Sequence, residues 1–380
     1  MSRRWCINGR FLSQSVTGVQ RYGRQVLQSL DALMAEGHPL VRNLDLNLIV
    51  PHDADDIPAL PAIETRVHGK RSGYVWEQFE LPSAVGKSGL LNFCSTGPLA
   101  IRKQVVCVHD VNTRLVPQNY SWQFRTVYRL LMPALGRRAE AITTVSEYSA
   151  GLLHRYKVSA PAKTHVIGNG HEHARRWLPM HSDKTRAAAG ANTILVFGTA
   201  SPNKNVKLLV GMAHQLAENG FRLAISGAAN SRVFQSQGLA AAANVTYLGR
   251  LSDNEIAALL QDCLCLAFPS FQEGFGLPPL EAMALGCPVI VSDTSCLPEI
   301  CGDAALYASP YVAGQWLGAF IQLRDRNLRD SLIQRGKERA KRYSWRASAV
   351  RYLELMAKSD AVALPAVSVA PQRPTTSFAR

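Results

Sequence analysis

Short apolar runs alternate along this chain with longer stretches whose apolar residues recur at helical spacing. In the first half, Trp5–Ile7, Asp45–Val50, Gly89–Phe93, Val105–His109, Ala141–Val145 and His165–Ile167 predict strands. After Gly18, the positions Val19, Tyr22, Val26, Leu27, Leu30 and Leu33 predict a helix with one apolar face. In the second half, strands are expected at Thr193–Phe197, Arg222–Ser226, Val245–Leu248, Cys263–Ala267, Pro288–Val291 and Ala305–Tyr307. Helices fit between them, among others at Asp253–Gln261 and Pro279–Leu285. Strands alternating with helices indicate parallel sheets, so the pattern predicts an α/β chain with two doubly wound halves.

Boundaries follow from where the period fails. Residues 171–191 carry charges, a proline and glycine but little apolar periodicity, and they mark the break. The expected organisation is a Rossmann-like domain over 1–175 and a second over 176–343. A closing helix follows within 344–358 (Trp345–Ala357), then a disordered tail over 359–380, rich in Ala, Pro, Val and Ser. Ligands of open α/β sheets bind beyond the carboxyl ends of the strands, so the expected site is a central cleft that the two domains face.

A length of 380 residues suits two domains of ordinary size. No uninterrupted apolar stretch reaches the roughly 20 residues that span a bilayer, and the first residues lack the apolar run of a secretory signal. The expectation is a cytoplasmic protein. Eight cysteines form no C-x2-C pair and have no histidine cluster beside them. They read as reduced, buried thiols, and no metal site is expected from side chains.

The net charge of +14 is uneven: 22 basic against 13 acidic residues over 1–180, and 20 against 15 over the rest. A basic surface suits anionic partners such as nucleotide diphosphates, lipid headgroups and pyrophosphate-linked lipids. The basic residues form no single tract, and no nucleic-acid-binding module is recognisable, so no nucleic acid is expected as a partner. Residues 121–140 place Trp122, Phe124, Tyr128, Leu130, Leu131 and Met132 beside Arg125, Arg129, Arg137 and Arg138. Two readings stay open: a helix on an anionic membrane surface, making the protein peripheral on the inner face of the membrane, or a helix packed on the first domain with a basic outer side.

The densest chemistry lies between Pro269 and Val291. Glu273 and Glu281 stand eight positions apart, with Gly274-Phe275-Gly276 and a Pro278-Pro279 step between them. Glycines ahead of a helix start expose backbone N–H groups where the dipole adds partial positive charge. Carboxylates accept hydrogen bonds from sugar hydroxyls. A phosphate cradle framed by two such acceptors is what a nucleotide-sugar site needs. The competing reading of Glu281 is a first-turn glutamate favoured by the helix dipole.

This segment resembles the Glu-x7-Glu motif of retaining GT-B glycosyltransferases of the large family-4 group. An ordered set of further motifs resembles the same family over roughly residues 5–358. It comprises Asn8-Gly9-Arg10 with Thr17–Tyr22, Val108-His109-Asp110-Val111, Thr144–Ser149, Val166–Gly170, Phe197–Asn205 and Leu297–Ala305. The resemblance implies a GT-B fold and a last helix that crosses back onto the first domain. It implies catalytic roles for His109, Glu273 and Lys204. Donor contacts are implied for Gly18, Asn203, Lys204, Arg250, Glu273, Glu281 and the backbone of Gly274, Phe275, Gly276 and Leu277. Glu281 would hold the ribose, Glu273 would face the transferred sugar, and Lys204 would meet the diphosphate. The family often has Arg five residues before this lysine; here Thr199 stands there, and Asn203, a backbone amide or Arg250 would take its place.

The expected activity is transfer of a hexose or deoxyhexose, mannose favoured, from a nucleoside-diphosphate sugar with retention of configuration. No cofactor and no essential metal are implied. The acceptor expected is a polyprenyl-diphosphate-linked or other glycan, in exopolysaccharide or O-antigen synthesis. Two rivals remain open at this point: a nucleotide-sugar epimerase on the same fold, and a non-catalytic nucleotide-sugar-binding scaffold.

Overall fold

The computed structural model describes residues 2–198, 201–227 and 242–362. They fall into two compact units: residues up to Gly170 together with those from Ser344 onward, and His171–Tyr343.

The first unit holds seven strands: β1 (Arg3–Asn8), β2 (Leu44–Val50), β3 (Glu64–Val67), β4 (Gly89–Asn92), β5 (Gln104–Cys107), β6 (Ala141–Thr144) and β7 (Thr164–Val166). They pair in the order β3-β2-β1-β4-β5-β6-β7, all parallel. The central strands β4, β5 and β6 are buried throughout, as a sheet covered on both faces requires. Helix α1 (Gly18–Ala35) starts behind a Thr17/Gln20 capping box and buries Tyr22, Val26, Leu27, Leu30 and Leu33. These are five of the six positions its spacing predicted; Val19 is half-buried. Helix α2 (Trp122–Arg138) is capped by Ser121, whose hydroxyl accepts from the Phe124 amide.

The second unit holds β8 (Gly190–Phe197), β9 (Arg222–Ser226), β10 (Val245–Gly249), β11 (Cys263–Phe268), β12 (Val289–Ser292) and β13 (Leu306–Ala308). Their order is β10-β9-β8-β11-β12-β13, again all parallel. Strand β11, in mid-sheet, is buried at every residue. Helix α3 (Asp253–Asp262) carries a Ser252/Glu255 capping box, and helix α4 (Leu277–Ala284) follows the glycine loop.

Helix α5 (Trp345–Ser359) belongs to the first unit, where the Tyr352 and Tyr22 hydroxyls lie 2.9 Å apart. It runs two residues past the expected Ala357 end. Asp360 behind it is anchored, because its carboxylate accepts from Arg3 at 2.8 Å, Trp5 at 2.9 Å and Lys103 at 2.6 Å. Ser359 and Asp360 are therefore structured, contrary to the expected start of a disordered tail; residues 363–380 lie outside the described residues. Strand β3 was not foreseen. Its Glu64-Thr65-Arg66-Val67 sequence is a mostly exposed edge with no apolar run.

Seven of the eight cysteines are buried and Cys94 is half-buried; all are free thiols. Burial pushes the Cys265, Cys296 and Cys301 thiols up, Cys301 to about 12, so they stay protonated and unreactive.

Candidate nucleotide-sugar site

In the second unit, the carboxyl ends of β8 and β11 each feed a loop, and the two loops are stitched together. The Phe271 amide donates to the Asn203 carbonyl at 2.8 Å, and the Asn203 side-chain amide donates to the Gln272 carbonyl at 3.5 Å. Pro202–Lys204 form one 3-10 turn, after which Asn205 takes the left-handed conformation and donates to the Pro310 carbonyl. The turn aims Lys204 at the neighbouring loop. Its Nζ lies 2.6 Å from Glu273 Oε1 and 5.2 Å from the centre of the Phe268 ring. Two residues 69 positions apart are thus brought into contact by backbone pairing. Both are half-buried, so the charges are only partly removed from water.

Gly276 sits at φ +89°, and a Cβ there would meet Leu297 Cδ2 at 2.8 Å. Only glycine fits both demands. The neighbouring Phe275 is buried, packed edge-on against Tyr343 with centroids 5.5 Å apart. Helix α4 begins Leu277-Pro278-Pro279, and the two prolines have no N–H. The backbone N–H groups at this end are therefore those of the loop residues Gly274, Phe275 and Gly276 and of Leu277, the first residue of the helix.

Glu281 is the fifth residue of α4, not a first-turn residue as the sequence suggested, because the helix starts before the proline pair. It is buried, and His173 Nε2 lies 2.7 Å from its Oε1. His173 is itself buried and packs edge-on against Trp177, with centroids 5.5 Å apart. Nearby, His171 Nδ1 lies 2.7 Å from the Tyr343 carbonyl. These two histidines begin the second unit at His171, ahead of the 176 expected. Sequence reading missed His173: its partner lies 108 positions away, and the only signal was a His-Glu-His run straight after Gly170.

Arg250 is exposed and directly follows β10. Thr199 lies outside the described residues. Among the described residues no group of three or more His, Cys, Asp or Glu is placed to hold a metal ion.

Two expected site residues lie in the first unit. Gly18 is the exposed first residue of α1, with open space where a Cβ would stand. His109 was expected to end a strand, but β5 stops at Cys107 and His109 lies in the loop beyond it. It is buried, with Nε2 2.7 Å from the Phe93 carbonyl, 3.7 Å from Cys107 Sγ, and its ring edge-on to Tyr22. Burial opposes its charge, but Cys107 and the Phe93 carbonyl outweigh that and leave its pKa above the ordinary histidine value. With Nε2 on the carbonyl, any contact to a ligand must come from Nδ1.

Residues 180–339 match the family model described as Glycosyl transferases group 1. Among curated proteins, the O-antigen chain mannosyltransferase RfbU of Salmonella typhimurium is 28% identical over 223 residues, 58% of this chain and 60% of that protein. The O-antigen chain mannosyltransferase B of Escherichia coli is 40% identical over 102 residues, 27% of each chain. The matches thus span less than two thirds of these relatives' lengths. Sucrose-phosphate synthase from Thermosynechococcus elongatus superposes with a TM-score of 0.70 at 18% identity, covering 95% of this chain and 100% of that one. At that identity the likeness is one of fold, and the fold is GT-B.

Proposed function

We propose, from the premise that residues 180–339 are a glycosyl transferases group 1 domain, that this chain is a retaining hexosyltransferase. It moves a hexose or deoxyhexose, mannose favoured, from a nucleoside diphosphate to a glycan on a polyprenyl diphosphate, in cell-surface polysaccharide synthesis. The observation that carries the reading is the Lys204–Glu273 pair, 2.6 Å apart and next to the Gly274–Gly276 loop. A cation for the diphosphate and a carboxylate for the sugar stand together there. Donor binding exchanges the pair: the ammonium turns from carboxylate to phosphate, and Glu273 faces the sugar.

Glycosyl transfer requires that charge building on the leaving diphosphate be neutralised. Lys204 and the loop amides from Gly274 to Leu277 do this, and no essential metal is assigned. Glu281 accepts from the ribose hydroxyls. The leaving phosphate oxygen deprotonates the acceptor hydroxyl on the face it departs from, which retains configuration without a side-chain nucleophile. The preference for mannose is supported by the names of both curated relatives. The anionic acceptor is supported by the excess of basic residues over 1–180.

The first unit is assigned to the inner membrane surface through α2. Trp122 is 69% exposed, Leu130 71% and Val127 57%; the helix carries four arginines and no acidic residue. Exposed apolar side chains flanked by cations suit an anionic bilayer. No helix among the described residues is long and apolar enough to cross one.

A thermal-shift comparison of UDP, GDP, TDP and ADP tests the donor reading. With GDP-mannose taken as the donor that goes with the mannose preference, GDP should raise the melting temperature most; a ligand at a hundredfold its Kd stabilises by about 2.7 kcal/mol. Stabilisation by none of the four would contradict it. Liposome flotation tests α2: the protein should float with anionic vesicles at low salt, and recovery wholly in the soluble fraction would contradict membrane contact.

A further inference from the structure

We infer that a cavity of ≈ 970 Å³ at the amino ends of the first unit's strands is a separate anion site, which takes a ligand carrying two or more phosphate groups. The inference stands apart from the transferase reading.

Four neighbouring strands each start with a cation on this side. Arg3 and Arg4 open β1, Arg42 lies two residues ahead of β2, Lys87 two ahead of β4, and Lys103 directly ahead of β5. The order β2-β1-β4-β5 sets these starts side by side, and all of these cations line the cavity. Every strand is parallel, so this end of the sheet is opposite the carboxyl ends, where ligands of open α/β sheets ordinarily bind. Nothing in the strand pairing calls for a cation at each start.

The charge here is poorly balanced. Asp360 is the one carboxylate in the lining, and it already engages Arg3 at 2.8 Å and Lys103 at 2.6 Å. Two acids adjoining the lining are engaged as well: Asp45, in register beside Arg4, accepts from Asn47 at 2.7 Å, and Glu140 accepts from Ser359 at 2.8 Å. Arg4, Arg42 and Lys87 are exposed, and among the described residues their side chains have no ion pair or hydrogen bond. Arg3 is only 7% exposed; its Nε donates to Asp360 and its Nη1 to the Leu40 carbonyl at 2.6 Å, while Nη2 has no hydrogen-bond partner. A buried guanidinium N–H without an acceptor costs free energy that an oxyanion oxygen would recover. The sequence after Val362 holds Arg373 and Arg380 and no Asp or Glu, so it brings no acidic side chain. The counter-charge must come from a ligand.

Its size follows from the cavity. The volume equals about thirty liquid-like waters, more than a single phosphate fills. Cations spread over four strand starts match several oxyanions better than one. Free polyphosphate and the phosphates of an anionic bilayer offer this same chemistry.

Calorimetric titration with sodium tripolyphosphate tests the site, with Lys204→Ala as the starting chain so that the proposed diphosphate cation of the donor loop is out of the readout. Tripolyphosphate should bind, and adding Arg4→Ala, Arg42→Ala and Lys87→Ala together should weaken it at least about tenfold. Those three side chains have no partner to lose, so this variant should melt no lower than its starting chain without ligand, which reports that it folds. Adding Lys70→Ala, Arg71→Ala and Arg186→Ala instead makes the same change in charge at other exposed positions and should leave binding as it was. Flotation with phosphatidylglycerol vesicles separates the two sources. Flotation lost only in the Arg4, Arg42 and Lys87 variant assigns the phosphates to lipid headgroups, and any other flotation result assigns them to a soluble polyphosphate. No binding of tripolyphosphate, binding that survives the Arg4, Arg42 and Lys87 substitutions, or an equal loss in the control variant would overturn the site.

Discussion

The His173 Nε2 atom lies 2.7 Å from Oε1 of Glu281, and both side chains are buried within the second unit. A buried carboxylate needs partners, and this one is oriented before any nucleotide arrives. His173→Ala leaves Glu281 short of a partner, which costs about 1–3 kcal/mol. Melting should fall accordingly, and nucleotide affinity should fall with it, because the carboxylate is no longer held. His173→Gln, which retains a donor, should recover part of both. Unchanged melting and affinity in His173→Ala would refute this positioning role.

Lys204 is expected to matter for transfer far more than for stability. Its ion pair with Glu273 is partly exposed, and such pairs contribute little to folding, about 0–1 kcal/mol. Removing one preorganised stabiliser of transition-state charge costs about 10²–10³ in rate. Lys204→Ala should therefore melt close to the parent and lose most transfer from GDP-mannose. Full activity would show that the diphosphate lies elsewhere.

Gly276→Ala should be destabilising on two counts. The backbone is at φ +89°, and the new methyl would sit 2.8 Å from Leu297 Cδ2. Strain of this kind costs about 1–3 kcal/mol. Denaturant unfolding of the variant, compared with Gly18→Ala, where a Cβ meets open space, separates strain from the mere loss of a glycine. Equal midpoints for the two would contradict the argument.

Asp360 ties the end of α5 to the start of β1. Burial alone would raise its pKa, but hydrogen bonds from Lys103, Arg3 and Trp5 outweigh that and hold it below the ordinary aspartate value of 3.8. The folded chain thus binds this proton less readily than the unfolded one. The stability Asp360 contributes is present above 3.8 and is lost as pH falls below that through the folded value. Asp360→Asn should be less stable than the parent at neutral pH and show a shallower loss in acid melts. Parallel acid profiles would count against the clasp.

Much of the fold was legible because buried parallel strands announce themselves as apolar runs. Each of the twelve expected strands is present with its ends moved by a few residues at most. The edge strand β3 was hidden because Glu64 and Arg66 give it no apolar signal. The loop from Glu273 to Gly276 was readable as chemistry, but its contacts were not. Lys204 meets Glu273, and His173 meets Glu281, only through sheet order and loop pairing over 69 and 108 positions. The register of Glu281 was missed because the helix begins at Leu277, ahead of both prolines, where a proline pair had suggested its start.

A crystal structure of the protein with GDP bound tests the central claim most directly. The account predicts the diphosphate within hydrogen-bond reach of Lys204 Nζ and the Gly274–Leu277 amides, with the ribose hydroxyls on Glu281. A nucleotide bound away from this loop, or a Glu281 carboxylate engaged by His173 with no ribose contact, would contradict it.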